Sequence, residues 1–190
     1  MAAVERRLAA GGLVCPACSG VLAGWGHARL RSVRGPGGLV RVRPRRARCV
    51  GCGATHVLLP VELLLRRADL AVVIGAALSA RTTGMGCRRI AALVGRPVET
   101  VRGWLRRFAG RVEAVRRLFT VLLRAVAADP VMPTPAGGVW ADALAALGAA
   151  VSAAAGRFGL FNVSPWLVVS AVSGGRLLAP DWPGEWINTS

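Results

Sequence analysis

Arg88-Arg89-Ile90-Ala91-Ala92-Leu93-Val94-Gly95-Arg96-Pro97-Val98-Glu99-Thr100-Val101-Arg102-Gly103-Trp104-Leu105 is the stretch whose reading decides the fold. Its apolar residues recur at helical spacing on both sides of Gly95-Arg96-Pro97, which predicts two helices and a tight turn. Ile90 and Leu93 are expected to face a core, Ala91 is small where two helices cross closely, and Gly95 permits the turn. Pro97 suits the start of the second helix, because its missing N–H is unsatisfied there in any case and its φ is already helical. Val101 and Leu105 then anchor that helix. The pattern is a helix-turn-helix.

The second helix carries Glu99, Arg102 and Arg106 on one flank at spacings of three and four, within reach of base edges if the helix enters a DNA major groove. Arg88, Arg89, Arg96 and Arg107 are placed for phosphates, where they position the protein without reading sequence. The same three-helix array also occurs as a plain packing unit. The density of Arg favours DNA: residues 1–60 carry ten Arg and one Glu (+9), residues 61–130 thirteen Arg and five acids (+8), and residues 131–190 two Arg and three acids (−1). A sustained positive field suits a polyanion and raises association rates, although simple solubility is the plainer explanation of the net +16. The chain has no Lys, Tyr or Gln, and this all-Arg usage looks like GC-rich coding as much as selection.

Upstream, Asp69 is expected to cap a helix that includes Leu70, Val73, Ile74, Ala77 and Leu78, with Gly84 and Gly86 breaking it. Downstream, a four-three repeat runs through Val101, Leu105, Phe108, Val112, Val115, Phe119, Leu122 and Val126. It permits a coiled-coil seam and hence a homodimer. The preferred reading ends the recognition helix at Gly110 and packs the later positions within the chain. After the linker Pro130-Val131-Met132-Pro133-Thr134-Pro135, Trp140, Leu144, Leu147 and Val151 predict another amphipathic helix. Ser164-Pro165 starts a last one and Gly174-Gly175 stops it, with Trp166, Trp182 and Trp186 closing a small core. The sequon Asn188-Thr189-Ser190 has no role without export.

The cysteines make the second strong pattern. Cys15-Pro16-Ala17-Cys18 and Cys49-Val50-Gly51-Cys52 are paired CxxC knuckles, and four thiolates complete a tetrahedral shell that suits Zn²⁺. Between them, Trp25 to Arg34 and Leu39 to Arg43 have strand composition and are joined by Gly35-Pro36-Gly37-Gly38, with Thr55 to Leu59 a further strand closed by Pro60. This predicts a zinc ribbon whose small core relies on the metal. His27 and His56 are left outside the shell, His56 as a strand residue or phosphate contact. Cys87 has no His/Asp companions for nucleophilic chemistry and is read as a packing residue.

No apolar stretch is expected to span the roughly 20 residues of a bilayer, since Leu70 to Ala80 is flanked by Arg66, Arg67 and Arg81 and the Ala-rich run from Ala141 to Ala155 has little bulk. The N-terminal residues lack a convincing secretory signal. A cytoplasmic, nucleoid-associated protein without membrane association is expected.

Cys15 to Cys18, then Arg43 to Pro60, then Arg88 to Phe108 in this order resembles a bacterial family of zinc-ribbon plus helix-turn-helix proteins associated with mobile elements, and the N-terminal DNA-binding region of insertion-sequence transposases. The similarity covers about residues 13–120 and is specific in its combination. It implies Zn²⁺ on Cys15, Cys18, Cys49 and Cys52 and DNA reading by Val98 to Arg107. The fold expected is mainly α with a small N-terminal β zinc ribbon, in three parts: a ribbon over 1–60, a helix-turn-helix domain with a long following helix over 61–130, and a helical C-terminal region over 131–190. Only Asp129, Asp142, Asp181 and Glu185 follow the DNA-binding part, so no catalysis is expected. The functions left open are a DNA-binding accessory or regulator of a mobile element, a sequence-specific transcription regulator, the DNA-binding half of a truncated or split transposase or recombinase with its partner encoded nearby, and an RNA-binding ribbon.

Overall fold

A computed structural model of the chain describes residues 2–182 and divides them into two compact units. Trp186, Glu185 and the Asn188 sequon lie outside the described residues. The first unit takes in the residues up to Pro60 apart from Gly35–Gly37, and the second Gly35–Gly37 with the residues from Val61 onward.

The first unit opens with α1 (Ala2–Ala9) and continues with β1 (Leu22–His27), β2 (Arg31–Gly35), β3 (Gly38–Val42), β4 (Arg45–Cys49) and β5 (Thr55–Leu58). The expected strand from Trp25 to Arg34 is in fact two, interrupted at residues 28–30, where the Ala28 N–H donates to the Pro44 carbonyl. β2 and β3 form the short hairpin, while β1 crosses to pair with β4 in an antiparallel sheet of order β1-β4-β5. β4 was not foreseen, because its Arg-rich composition hides its alternation: Ala47 and Cys49 point in and are buried, while Arg48 is exposed. The core is small, comprising Leu8, Cys15, Leu22, Ala47 and Cys49 with Leu13 and Leu58 against them.

The second unit is helical: α2 (Ala71–Thr82), α3 (Cys87–Val94), α4 (Val98–Ala109), α5 (Val112–Val126), α6 (Val139–Phe158) and α7 (Pro165–Val172). One core runs through it, from Ile74 and Leu78 on α2 and Ile90 on α3 to Phe108, Phe119, Ala150 and Val169. Three sequence expectations are corrected here. Asp69 does not cap α2, whose N-cap is Leu70 without a side-chain bond; its buried carboxylate instead takes the Arg96 guanidinium at 2.5 Å. Leu93 is 61% exposed, and Ile90 and Ala91 carry the buried face of α3. The four-three repeat breaks between α4 and α5 at Gly110 and Arg111, as the preferred reading has it, and Val115 and Phe119 are buried as expected; only its end differs, Leu123 being buried on α5 where Leu122 and Val126 are half-buried.

α6 meets the length and composition of a membrane span, with a mean hydropathy of 1.5 over its best window, so the expectation that every apolar stretch is too short needs correcting. Ala143, Ala146, Leu147, Ala150, Val151 and Ala154 nevertheless form a helical stripe buried in the unit's core. Pro165 begins α7 and Gly174-Gly175 end it, both glycines with positive φ.

Candidate metal centre and candidate nucleic-acid interface

The two CxxC knuckles share one backbone design. In the first, the Cys15 N–H donates to the Gly20 carbonyl (2.7 Å) and the Ser19 N–H to the Cys15 carbonyl (2.8 Å); in the second, Cys49 donates to Ala54 (2.8 Å) and Gly53 to Cys49 (3.0 Å). The fifth residue of each, Ser19 and Gly53, has the positive φ that closes such a turn. Antiparallel pairing of β1 with β4, with Leu22 opposite Cys49, then brings the two knuckles together.

The four Sγ atoms lie within 4.8 Å of one another, Cys15 to Cys52 at 3.8 Å and Cys18 to Cys49 at 3.4 Å. A tetrahedral site with bonds of about 2.3 Å has sulfur-to-sulfur edges of about 3.8 Å, so the quartet fits Zn²⁺. A Cβ on Gly20 would stand 3.0 Å from the Cys49 sulfur and 3.3 Å from that of Cys18, so the cradle is built closely around the thiols. The Cys52 N–H on the Cys49 sulfur pulls that thiol down to about 6, against burial. Cys18 is pushed up to about 12: a bond from Gly20 lowers it, and contacts with the Cys49 and Cys52 thiols and burial outweigh that. Crowded thiols cannot all ionise without a cation among them. Among the described residues this is the one cluster of three or more His, Cys, Asp or Glu able to hold a metal ion.

His56 stands beside this quartet, its Nε2 3.4 Å from the Cys15 sulfur. It reaches there because β5 pairs with β4, placing His56 opposite Ala47. Trp25, which sequence reasoning passed over, is 49% exposed with the Arg48 guanidinium 4.9 Å from its ring centroid. Only the β1–β4 pairing brings these two together.

In the helical unit, Gly95 closes α3 in the left-handed conformation and its N–H and that of Arg96 bond back to the last turn of α3. α4 follows from Pro97 and buries Val101, Trp104, Leu105 and Phe108. Phe108 meets Trp140 at 4.7 Å between ring centroids, and the Trp140 indole donates to the Leu78 carbonyl (3.2 Å). The face opposite this buried stripe carries Glu99, Gly103 and Arg106, with Arg102 on its edge in an exposed ion pair with Glu99. Arg88 and Arg89 are exposed on α3. Arg96 is turned inward, its Nε on Asp69 and its Nη1 on the Val94 (3.2 Å) and Gly95 (2.9 Å) carbonyls. Arg107 is half-buried and folds back along α4, donating to the Gly103 carbonyl at 3.0 Å. Cys87 packs partly against the core.

A family model described as a homeodomain-like domain matches residues 66–116, from the segment before α2 into α5. No curated protein and no solved structure matches the chain. The chain thus carries a homeodomain-like helix-turn-helix domain, the type of a DNA-binding module, and a separate β unit with four cysteines arranged to hold a metal ion.

Proposed function

We propose that this is a DNA-binding protein of a mobile element, an accessory or regulator that contacts double-stranded DNA through α4 and holds one structural Zn²⁺ on Cys15, Cys18, Cys49 and Cys52. The observation that carries the reading is the exposed face of α4: Glu99, Arg102 and Arg106 stand clear of a core that fixes the helix rigidly. An Arg there suits the O6 and N7 acceptors of guanine, and Arg88 and Arg89 suit flanking phosphates. The mobile-element assignment rests on the resemblance of the combined motifs. An adjacent integrase-type reading frame supports it, or a split transposase, whereas an isolated operon supports a transcription regulator.

The protein binds without cutting. Among the described residues, Asp142 accepts from the Ala136 N–H (2.6 Å) and Asp181 pairs with Arg176, each apart from other acids, which supports a role without phosphodiester chemistry. Selection of bound fragments from random duplex DNA tests the main reading: enrichment of a defined sequence is expected, and recovery no better than with a charge-matched control protein would defeat it. Metal analysis of protein purified without added zinc should find one equivalent, lost in the double substitution Cys49→Ser, Cys52→Ser. The exposed Trp25–Arg48 stack favours one second reading, a ribbon that binds single-stranded nucleic acid. Competition between RNA and duplex DNA separates the two.

A further inference from the structure

The four thiols of the β unit are not equally supplied with hydrogen-bond donors. Cys18 and Cys52 are exposed and open to water. Cys15 and Cys49 are buried, at 1% and 2% exposure, so each must draw its donor from the protein. Cys49 has the Cys52 N–H at 3.4 Å. Beside Cys15 stands His56, with its Nε2 3.4 Å from the sulfur. The antiparallel register explains this approach: His56 is the partner of Ala47 on β4, directly opposite residues share a face of the sheet, and Ala47 is buried on the face that also carries Cys49. The half-buried ring therefore faces the cysteines and not an outside phosphate.

We propose that His56 is a positioning residue of the metal centre, its Nε2–H donating to the Cys15 thiolate when the quartet holds Zn²⁺. Four thiolates around a divalent cation leave negative charge in excess, and donors to sulfur offset it. A thiolate can only accept, so the nitrogen that faces it must carry the proton. The cysteine sulfurs complete a tetrahedral shell among themselves, which leaves the imidazole the outer role of fixing one ligand's orientation and charge. No side chain has to move, since the separation is already that of an N–H···S contact. Loss of such an outer partner costs about 10–100-fold in metal affinity. The assignment rests on the metal-binding reading of the quartet and is independent of the DNA-binding one.

The test uses the full-length protein with ¹⁵N-labelled histidine, loaded with ¹¹³Cd²⁺, a thiolate-seeking, NMR-active stand-in for zinc. His56 is expected to show a protonated Nε2, slow to exchange with water, and a scalar coupling from that proton to ¹¹³Cd through the Cys15 sulfur. An unprotonated Nε2 coupled directly to ¹¹³Cd makes His56 a ligand and overturns the outer role. A cadmium resonance of the four-thiolate type without coupling to His56 overturns the hydrogen bond while the metal reading stands. A protein that takes up no cadmium overturns both. In a second arm, competition of the zinc-loaded protein with a chromophoric chelator compares His56→Gln, which keeps a donor, with His56→Leu, which has none. His56→Leu should lose about tenfold or more in zinc affinity, and His56→Gln clearly less. Equal effects in the two variants, loss or none, show that the ring only fills space and overturn the proposal. Should either variant fail to fold, the coupling in the wild-type protein decides alone.

Discussion

Arg96 and Asp69 form an ion pair in which the acid is 2% exposed, and the same guanidinium ties two carbonyls of the turn between α3 and α4. Removing the cation takes this partner from a buried carboxylate, and breaking a buried pair costs about 3–5 kcal/mol. Arg96→Ala should therefore lower the midpoint of chemical denaturation sharply. A variant of unchanged stability with weakened DNA binding would put Arg96 on phosphate instead. Gly75 is equally constrained, because a Cβ there would lie 2.0 Å from the Trp166 ring. Gly75→Ala should destabilise by about 1–3 kcal/mol, as overpacking does, and recover part of that when combined with Trp166→Leu. An additive double substitution, read by thermal unfolding, would show that the two residues do not compete for one space.

At the scale of elements, α4 divides its residues between a buried stripe and an outward face, and α3 offers arginines beside it. The exposed Glu99–Arg102 pair contributes only about 0.2–0.5 kcal/mol, so giving up Glu99 for a base edge would cost Arg102 little. A bidentate contact with guanine is worth about 1–3 kcal/mol of discrimination. Arg102→Ala should lower affinity for the selected site far more than for random DNA. Arg88→Ala and Arg89→Ala should weaken both alike and reduce the salt slope by about one each. Equal losses from all three would make the interface an electrostatic clamp without base reading.

Over the whole molecule, two cores of unequal size set the response to metal. The β unit's apolar cluster is small, centred on Leu8, Cys15, Leu22, Ala47 and Cys49, two of them metal-ligand candidates, whereas the helical unit has an extensive apolar core of its own. A core that small supplies little folding free energy by itself, and a metal ion held by the four thiols would add to it. Chelation should abolish the β signal in circular dichroism and open Arg43 to Arg48 to proteolysis, leaving a cooperative helical melt. Loss of both signals together would show that the helices depend on the metal as well. The four cysteines, the glycine turn at Gly95, the helix start at Pro165 and the outward place of Glu99, Arg102 and Arg106 were all legible in the chain, because each follows from local spacing or from backbone conformations that few residues adopt. The sequence by itself therefore determined the cysteine quartet, the helix-turn-helix and the mainly helical class. Tertiary structure alone decided that β1 pairs with β4 and not β3, that Leu93 faces out, that Leu123 replaces Leu122 in the core, and that Asp69 answers Arg96 rather than capping α2. It also placed His56 on Cys15. These are contacts between residues far apart in the chain or choices among adjacent apolar side chains, and periodicity carries no information about which distant partner a helix or strand will meet.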